Sequence, residues 1–216
     1  PVIEIFTENG VFVAPTDVTA IEVFAVGGGG AGKEGYIANS RRNGGSGGQI
    51  IMQTLSVTPG ETYAITIGAG GLAFTGDYYK WSANPGENTS FGNLLTALGG
   101  LGGRCDEQSS QTTWPQPVVE GSATGGSWYN PLTYGAGEDG QLCPFDLSSF
   151  PDLDGKKFGA GGGAGGGDGG ETGGGVGSIG YSQGTPSTFY GAGGGGGGYY
   201  KVKATDGYQG ILIIKY

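Results

Sequence analysis

Glycine in this chain is segregated rather than spread. Of 53 glycines in 216 residues, single ones fall in residues 1–26 (Gly10), 49–67 (Gly60), 88–98 (Gly92) and 209–216 (Gly210). The other 49 lie in 27–48, 68–87 and 99–208, with the run Gly193 to Gly198 as the densest point. Glycine loses more backbone freedom on ordering than any other residue. A segment built from it stays a flexible linker unless its N–H and C=O groups find partners elsewhere in the chain. Two materials are therefore interleaved, and the fold must explain both.

The glycine-poor segments read as strands. Ile3 and Ile5 alternate with Glu4, and Glu8-Asn9-Gly10 predicts a hairpin turn into Val11-Phe12-Val13. Residues 20–26, AIEVFAV, carry β-branched and aromatic side chains on both faces. Residues 49–57 follow, and Thr58-Pro59-Gly60 turns into 61–67, where Tyr63, Ile65 and Ile67 alternate with Thr62, Ala64 and Thr66. Residues 89–91, a turn at Gly92-Asn93, residues 94–98 and the closing 210–216 make eight short strands without a helix. With 36% hydrophobic and 11% aromatic residues, there is apolar surface enough for a core. The expected fold is all-β, an antiparallel jelly-roll-like sandwich formed by residues 1–98 plus 209–216.

Alternating the strands up and down sends the excursions 27–48, 68–88 and 99–208 from one pole of that sandwich. An excursion of 99–208 is too long for a simple loop and predicts a second module beside the shorter two. Helix is disfavoured by glycine's cost of about 1 kcal/mol per position, and a sheet would lack side chains to pack. Polyproline-II-type helices remain: three residues per turn, no internal hydrogen bonds, and backbone groups all pointing outward. Where glycine fills most positions, as in 159–177, such helices can approach on several sides and bond to one another. The expectation is a polyglycine-II helix bundle at one pole, with Gly193–Gly198 as its last rod.

The remaining chemistry is sparse. A net charge of −9 argues against nucleic-acid partners and anionic membranes, and no apolar run is long enough to be inserted in a membrane. There is no histidine, so the common acid–base and metal arrangements are missing, and neither a cofactor nor catalysis is expected. Residues 27–33, GGGGAGK, have the spacing of a phosphate-binding loop, but Glu34 stands where Ser or Thr is needed and no helix follows. Asp168 and Glu171, Asp152 with Asp154, and Glu138 with Asp139 read as solvated charges. Cys105 and Cys143 are either two free thiols or a bridge that closes part of the long excursion. The aromatics are more informative. Tyr78, Tyr79 and Trp81, then Trp114, Trp128, Tyr129 and Tyr134, sit in excursions among Ser, Thr, Gln and Asn. Rigid aromatics with adaptable polar neighbours are the composition of recognition loops.

The stretches VFVAPTDVTAIEVFAVGGGGAGK, GGQIIMQTLSVTPGETYAITIGAGG and NTSFGNLLTALGG, with the terminal GYQGILIIKY, resemble the glycine-rich domain of tailed-bacteriophage tail and tail-fibre proteins. The bundle is similar to the polyglycine-II bundle of T-even-type distal tail-fibre adhesins, whose tip loops contact a bacterial receptor. The ectodomain of the anaplastic-lymphoma-kinase receptors interleaves similar parts but is dense in cysteine. The resemblance implies a virion protein, made in the host cytoplasm, that binds a bacterial surface polysaccharide or outer-membrane protein through loops around 77–84 and 104–135. Other virion proteins are then its assembly partners, with the chain acting as a homotrimer, as fibres commonly are, or as a single capping chain. A structural decoration or connector protein of capsid, baseplate or fibre shaft is the alternative implied.

Overall fold

The computed structural model describes residues 1–34, 43–73, 82–104, 119–126, 128–130, 133–165, 167–178, 183–197 and 202–216. In chain order the strands are β1 (Ile3–Phe6), β2 (Gly10–Val13), β3 (Ala20–Val26), β4 (Ile50–Ser56), β5 (Thr62–Thr66), β6 (Thr89–Phe91), β7 (Leu95–Ala97), β8 (Trp128–Asn130), β9 (Thr133–Tyr134), β10 (Gln141–Leu142), β11 (Lys157–Phe158) and β12 (Ile211–Lys215). No helix occurs among the described residues, and all paired strands are antiparallel. The protein is all-β.

Two four-stranded sheets, ordered β1-β12-β3-β4 and β2-β5-β6-β7, pack face to face. Strict alternation puts Phe12, Ile65, Phe91 and Leu95 of the second sheet against Ile21, Val23, Leu55, Leu212 and Ile214 of the first. Tyr63 stacks on Phe91 with ring centroids 5.0 Å apart, and Phe12 meets Phe91 at 5.9 Å.

The Asn9-Gly10 hairpin does not form, which corrects the sequence expectation. β1 pairs with β12 and β2 with β5, so residues 7–9 cross from one sheet to the other. A two-residue type I′ turn needs positive φ at both central residues, and neither Asn9 nor Gly10 has it. Asn9 Oδ1 instead accepts a hydrogen bond from the Ile67 N–H at 2.8 Å, tying the crossing to the end of β5. The Gly92 turn, with φ 50°, closes the β6–β7 hairpin as expected.

The outward face of the first sheet is also buried. Phe24, Val26, Ile211 and Ile213 are covered by Phe145, Leu147, Leu153 and Phe158, all from residues 143–158 of the longest excursion. Phe158 lies edge-on to Phe24 at 5.4 Å and continues to Phe189 at 5.1 Å.

The glycine-rich segments lie side by side and exchange backbone hydrogen bonds, several of them with a period of three. Gly27, Gly30 and Lys33 donate to the carbonyls of Gln49, Ser46 and Asn43 at 3.0, 2.9 and 3.0 Å. Gly28 and Ala31 donate to Glu87 and Asn84, and Gly29 and Gly32 to Tyr208 and Thr205. The carbonyls of Gly28 and Ala31 accept from Gly100 and Gly103, those of Gly30 and Lys33 from Gly194 and Gly197, and that of Gly29 from Gly71. Residues 27–33 thus bond to six neighbouring segments. Residues 43–49 repeat the rule: Asn43, Ser46 and Gln49 donate to Arg104, Leu101 and Leu98, while Gly45 and Gly48 donate to Gly194 and Gly191. The run from Gly193 is not the last segment, because residues 202–210 return beside it and Thr205 donates to Gly195 before β12 begins.

Bonds from Gly27 to Gln49, Gln49 to Leu98 and Gly210 to Gly68 root these segments at one end of the sheets. Val2 and Tyr216 bond to each other at the opposite end, at 2.7 and 3.1 Å.

Candidate recognition pole

The segment ends remote from the sheets converge. Lys33 N–H reaches Asn43, Asn43 N–H reaches Arg104 at 3.3 Å, and Gly197 N–H reaches Lys33 at 2.9 Å. Ser82 and Arg104 form an antiparallel bridge, which brings together the points from which residues 81 and 105 continue. Beside them, Gly44 donates to Gly126 and Ala164 to Gly135. Between Gly126 and Gly135 the chain makes the β8–β9 hairpin, in which Trp128 pairs with Tyr134 and Asn130 with Thr133. An irregularity of register between Trp128 and Asn130 falls at Tyr129.

Of the aromatic residues singled out in the sequence, Trp128, Tyr129 and Tyr134 thus lie on one hairpin at this pole. Tyr78, Tyr79, Trp81 and Trp114 lie outside the described residues, as does Cys105. Cys143 is a half-buried free thiol within the covering segment, and burial pushes its pKa up. Tyr190 packs between Phe189 and Tyr208, at 5.3 and 5.7 Å, near the sheets rather than at the remote pole.

A family model described as a glycine-rich domain matches residues 7–216. The chain belongs to the glycine-rich domain family. No curated protein matches it.

In this glycine-rich domain the phosphate-loop spacing of residues 27–33 has no anion site to offer. The N–H groups of Gly30, Ala31, Gly32 and Lys33 all donate to neighbouring carbonyls, at 2.9 to 3.0 Å, so none remains to cradle a phosphate. Three carboxylates of the long excursion, Glu138, Asp139 and Glu171, brace the chain. Glu138 Oε2 accepts from the Thr124 N–H at 2.9 Å, and Lys157 bridges Asp139 and Glu171 at 2.8 and 2.7 Å. The Lys157 ammonium, followed by the Glu171 N–H, holds Asp139 below its ordinary carboxylate range. Among the described residues no group of three His, Cys, Asp or Glu could hold a metal ion.

Two charges that the sequence presents only as part of a failed phosphate-loop spacing are buried in the glycine-rich domain. Lys33 and Glu34, at the remote end of their segment, are 1% and 3% exposed. Their signal was a charged pair closing a glycine tract. Burial of both charges together marks that end as packed rather than open to solvent.

Proposed function

We propose that the glycine-rich segments form a polyglycine-II bundle on a jelly-roll-like sandwich. The support is that donors in residues 27–33, 43–49 and 193–197 return to the same neighbour every third residue, as three residues per turn require. A Gly195→Val variant tests it: the added Cβ would meet the Val176 carbonyl oxygen at 2.3 Å. Amide exchange in the bundle should accelerate while β3 and β12 stay protected, and an unchanged bundle would sink the model.

On that scaffold the protein is a non-enzymatic virion protein of a tailed phage, a tail-fibre or tail-tip adhesin. It grips a bacterial surface polysaccharide or outer-membrane protein through residues at the remote pole. The observation that carries this reading is the placing of Trp128, Tyr129 and Tyr134 on one hairpin beside the Ser82–Arg104 bridge, at the pole opposite the Val2–Tyr216 pair. Aromatic side chains have few rotatable bonds and so lose little entropy on binding. Replacing Trp81, Trp114 and Trp128 together with Ala should abolish adsorption to host cells without changing the unfolding temperature. Undiminished adsorption by that variant overturns the reading. A protein that never binds cells and is found in the capsid or fibre shaft would be the structural connector instead.

A further inference from the structure

A groove of about 290 Å³ opens beside the segment 202–210, lined by Ala73, Gln183, Pro186, Lys203, Thr205 and Asp206. Its walls are fixed. Thr205 Oγ1 accepts from the Gly195 N–H at 2.7 Å and donates to the Thr185 carbonyl at 3.2 Å. Ser187 Oγ donates to the Asp206 carbonyl at 2.7 Å, and Asp206 Oδ1 accepts from the Ala73 N–H. Three separate stretches of chain are thereby held in one geometry, so a ligand would not have to order them.

The groups left over are of mixed kind. Lys203 forms no ion pair among the described residues. Gln183 offers an amide, Asp206 Oδ2 has no hydrogen-bond partner among the described residues, and Pro186 and Ala73 supply an apolar wall. A bare anion would meet Lys203 but be repelled by Asp206. A neutral polyol would satisfy Asp206 and Gln183 but leave the ammonium without a counter-charge. A single sugar ring carrying a carboxylate or phosphate satisfies all of them: anion on Lys203, vicinal hydroxyls on Asp206 and Gln183, ring C–H face on Pro186. The volume lies close to the lower end of the range for small-ligand pockets, about 300 Å³.

We propose that this groove is a subsite for an acidic monosaccharide unit of a surface glycan. The inference rests on the adhesin reading and names its ligand class.

The test is titration of the intact chain with glucuronic acid, glucose 6-phosphate, glucose and inorganic phosphate, followed by heteronuclear NMR. At least one acidic sugar should bind with Kd of about 1 mM, and glucose and phosphate at least about tenfold more weakly. The carboxylate and phosphate arms decide which acid group is preferred. Lys203→Ala should reduce acidic-sugar binding about tenfold, Lys203→Arg should restore most of it, and Lys156→Ala, remote from the groove, should change nothing. Equal binding of glucose and both acids, no binding by any sugar, or an unaltered Lys203→Ala variant would overturn the proposal. Adsorption of the same variants to cells separates the two readings: wild-type adsorption that survives Lys203→Ala refutes the subsite and leaves the adhesin, whereas absence of wild-type adsorption refutes the adhesin.

Discussion

A Cβ built on Gly45 stands 2.0 Å from the carbonyl oxygen of Gly30, a distance that real side chains do not reach. Gly45→Ala must push residues 43–49 away from 27–33. It puts at risk the bonds from Gly45 to Gly194 and from Gly162 to Gly45, at 2.8 and 2.9 Å. Each buried bond left unmade costs about 1–3 kcal/mol, so a loss of about 4 kcal/mol and about 10 °C in Tm is expected. Gly10 is the control, because its Cβ would meet the Phe6 ring at 3.6 Å and the Glu8 carbonyl at 4.0 Å, both ordinary contacts. Gly10→Ala should stay within about 0.5 kcal/mol of the parent in calorimetry.

The cover over the first sheet should be separable from the core between the sheets. Phe158 is 0% exposed and joins Phe24 to Phe189. Phe158→Ala should cost about 3–5 kcal/mol in denaturant unfolding. Limited proteolysis should then cut first within 143–158, and a first cut inside β6 or β7 would contradict a separate cover.

The closing strand has a pH limit on the alkaline side. Tyr216 Oη donates to Glu4 Oε1, and this bond, ahead of burial and the Glu4 charge, pushes the phenol up to about 12 from 10.0. Because the folded value is raised, the contribution is whole below pH 10.0 and is lost as pH climbs through about 12. Phenolate absorbance should show a late-titrating component near pH 12 from Tyr216, and Glu4→Gln should move that component towards the ordinary value.

Asp139 gives the acid-side counterpart. Its lowered pKa means that its contribution is present above the ordinary carboxylate range and disappears as pH falls through the depressed value. Lys157→Met should raise the carboxyl titration seen by NMR. It should not restore it fully, because the Glu171 N–H still donates to Asp139 at 2.8 Å.

The strands were legible because alternation is a local signal. Phe12, Ile65 and Leu212 declare their face within a few residues, and eight of the strands fall where the pattern puts them. Pairing was less legible: Asn9-Gly10 has hairpin chemistry, yet β12 needs β1 as its neighbour and Asn9 bonds to Ile67. The cover was announced only indirectly. A strand apolar on both faces, as in AIEVFAV, demands something outside it, but nothing local in Phe145 or Leu153 says which sheet they will meet. At the remote pole, composition drew attention to Trp128 and Tyr134 without revealing that they are register partners. The groove at Lys203 had no signal, since its walls come from residues 73, 183–187 and 203–206.

The period of three has a consequence for how such a chain tolerates insertions and deletions. Removing one residue from 27–33 would turn every later donor by about a third of a revolution, so that the N–H now bonded to Ser46 would face the strip belonging to Asn84 or Thr205. Length can change inside these segments only in steps of three, whereas at their remote ends it can change by any number. Variation in related chains should therefore be quantised within the segments and continuous at the pole, a ruler against which change constrained by the lattice can be told from change that is not.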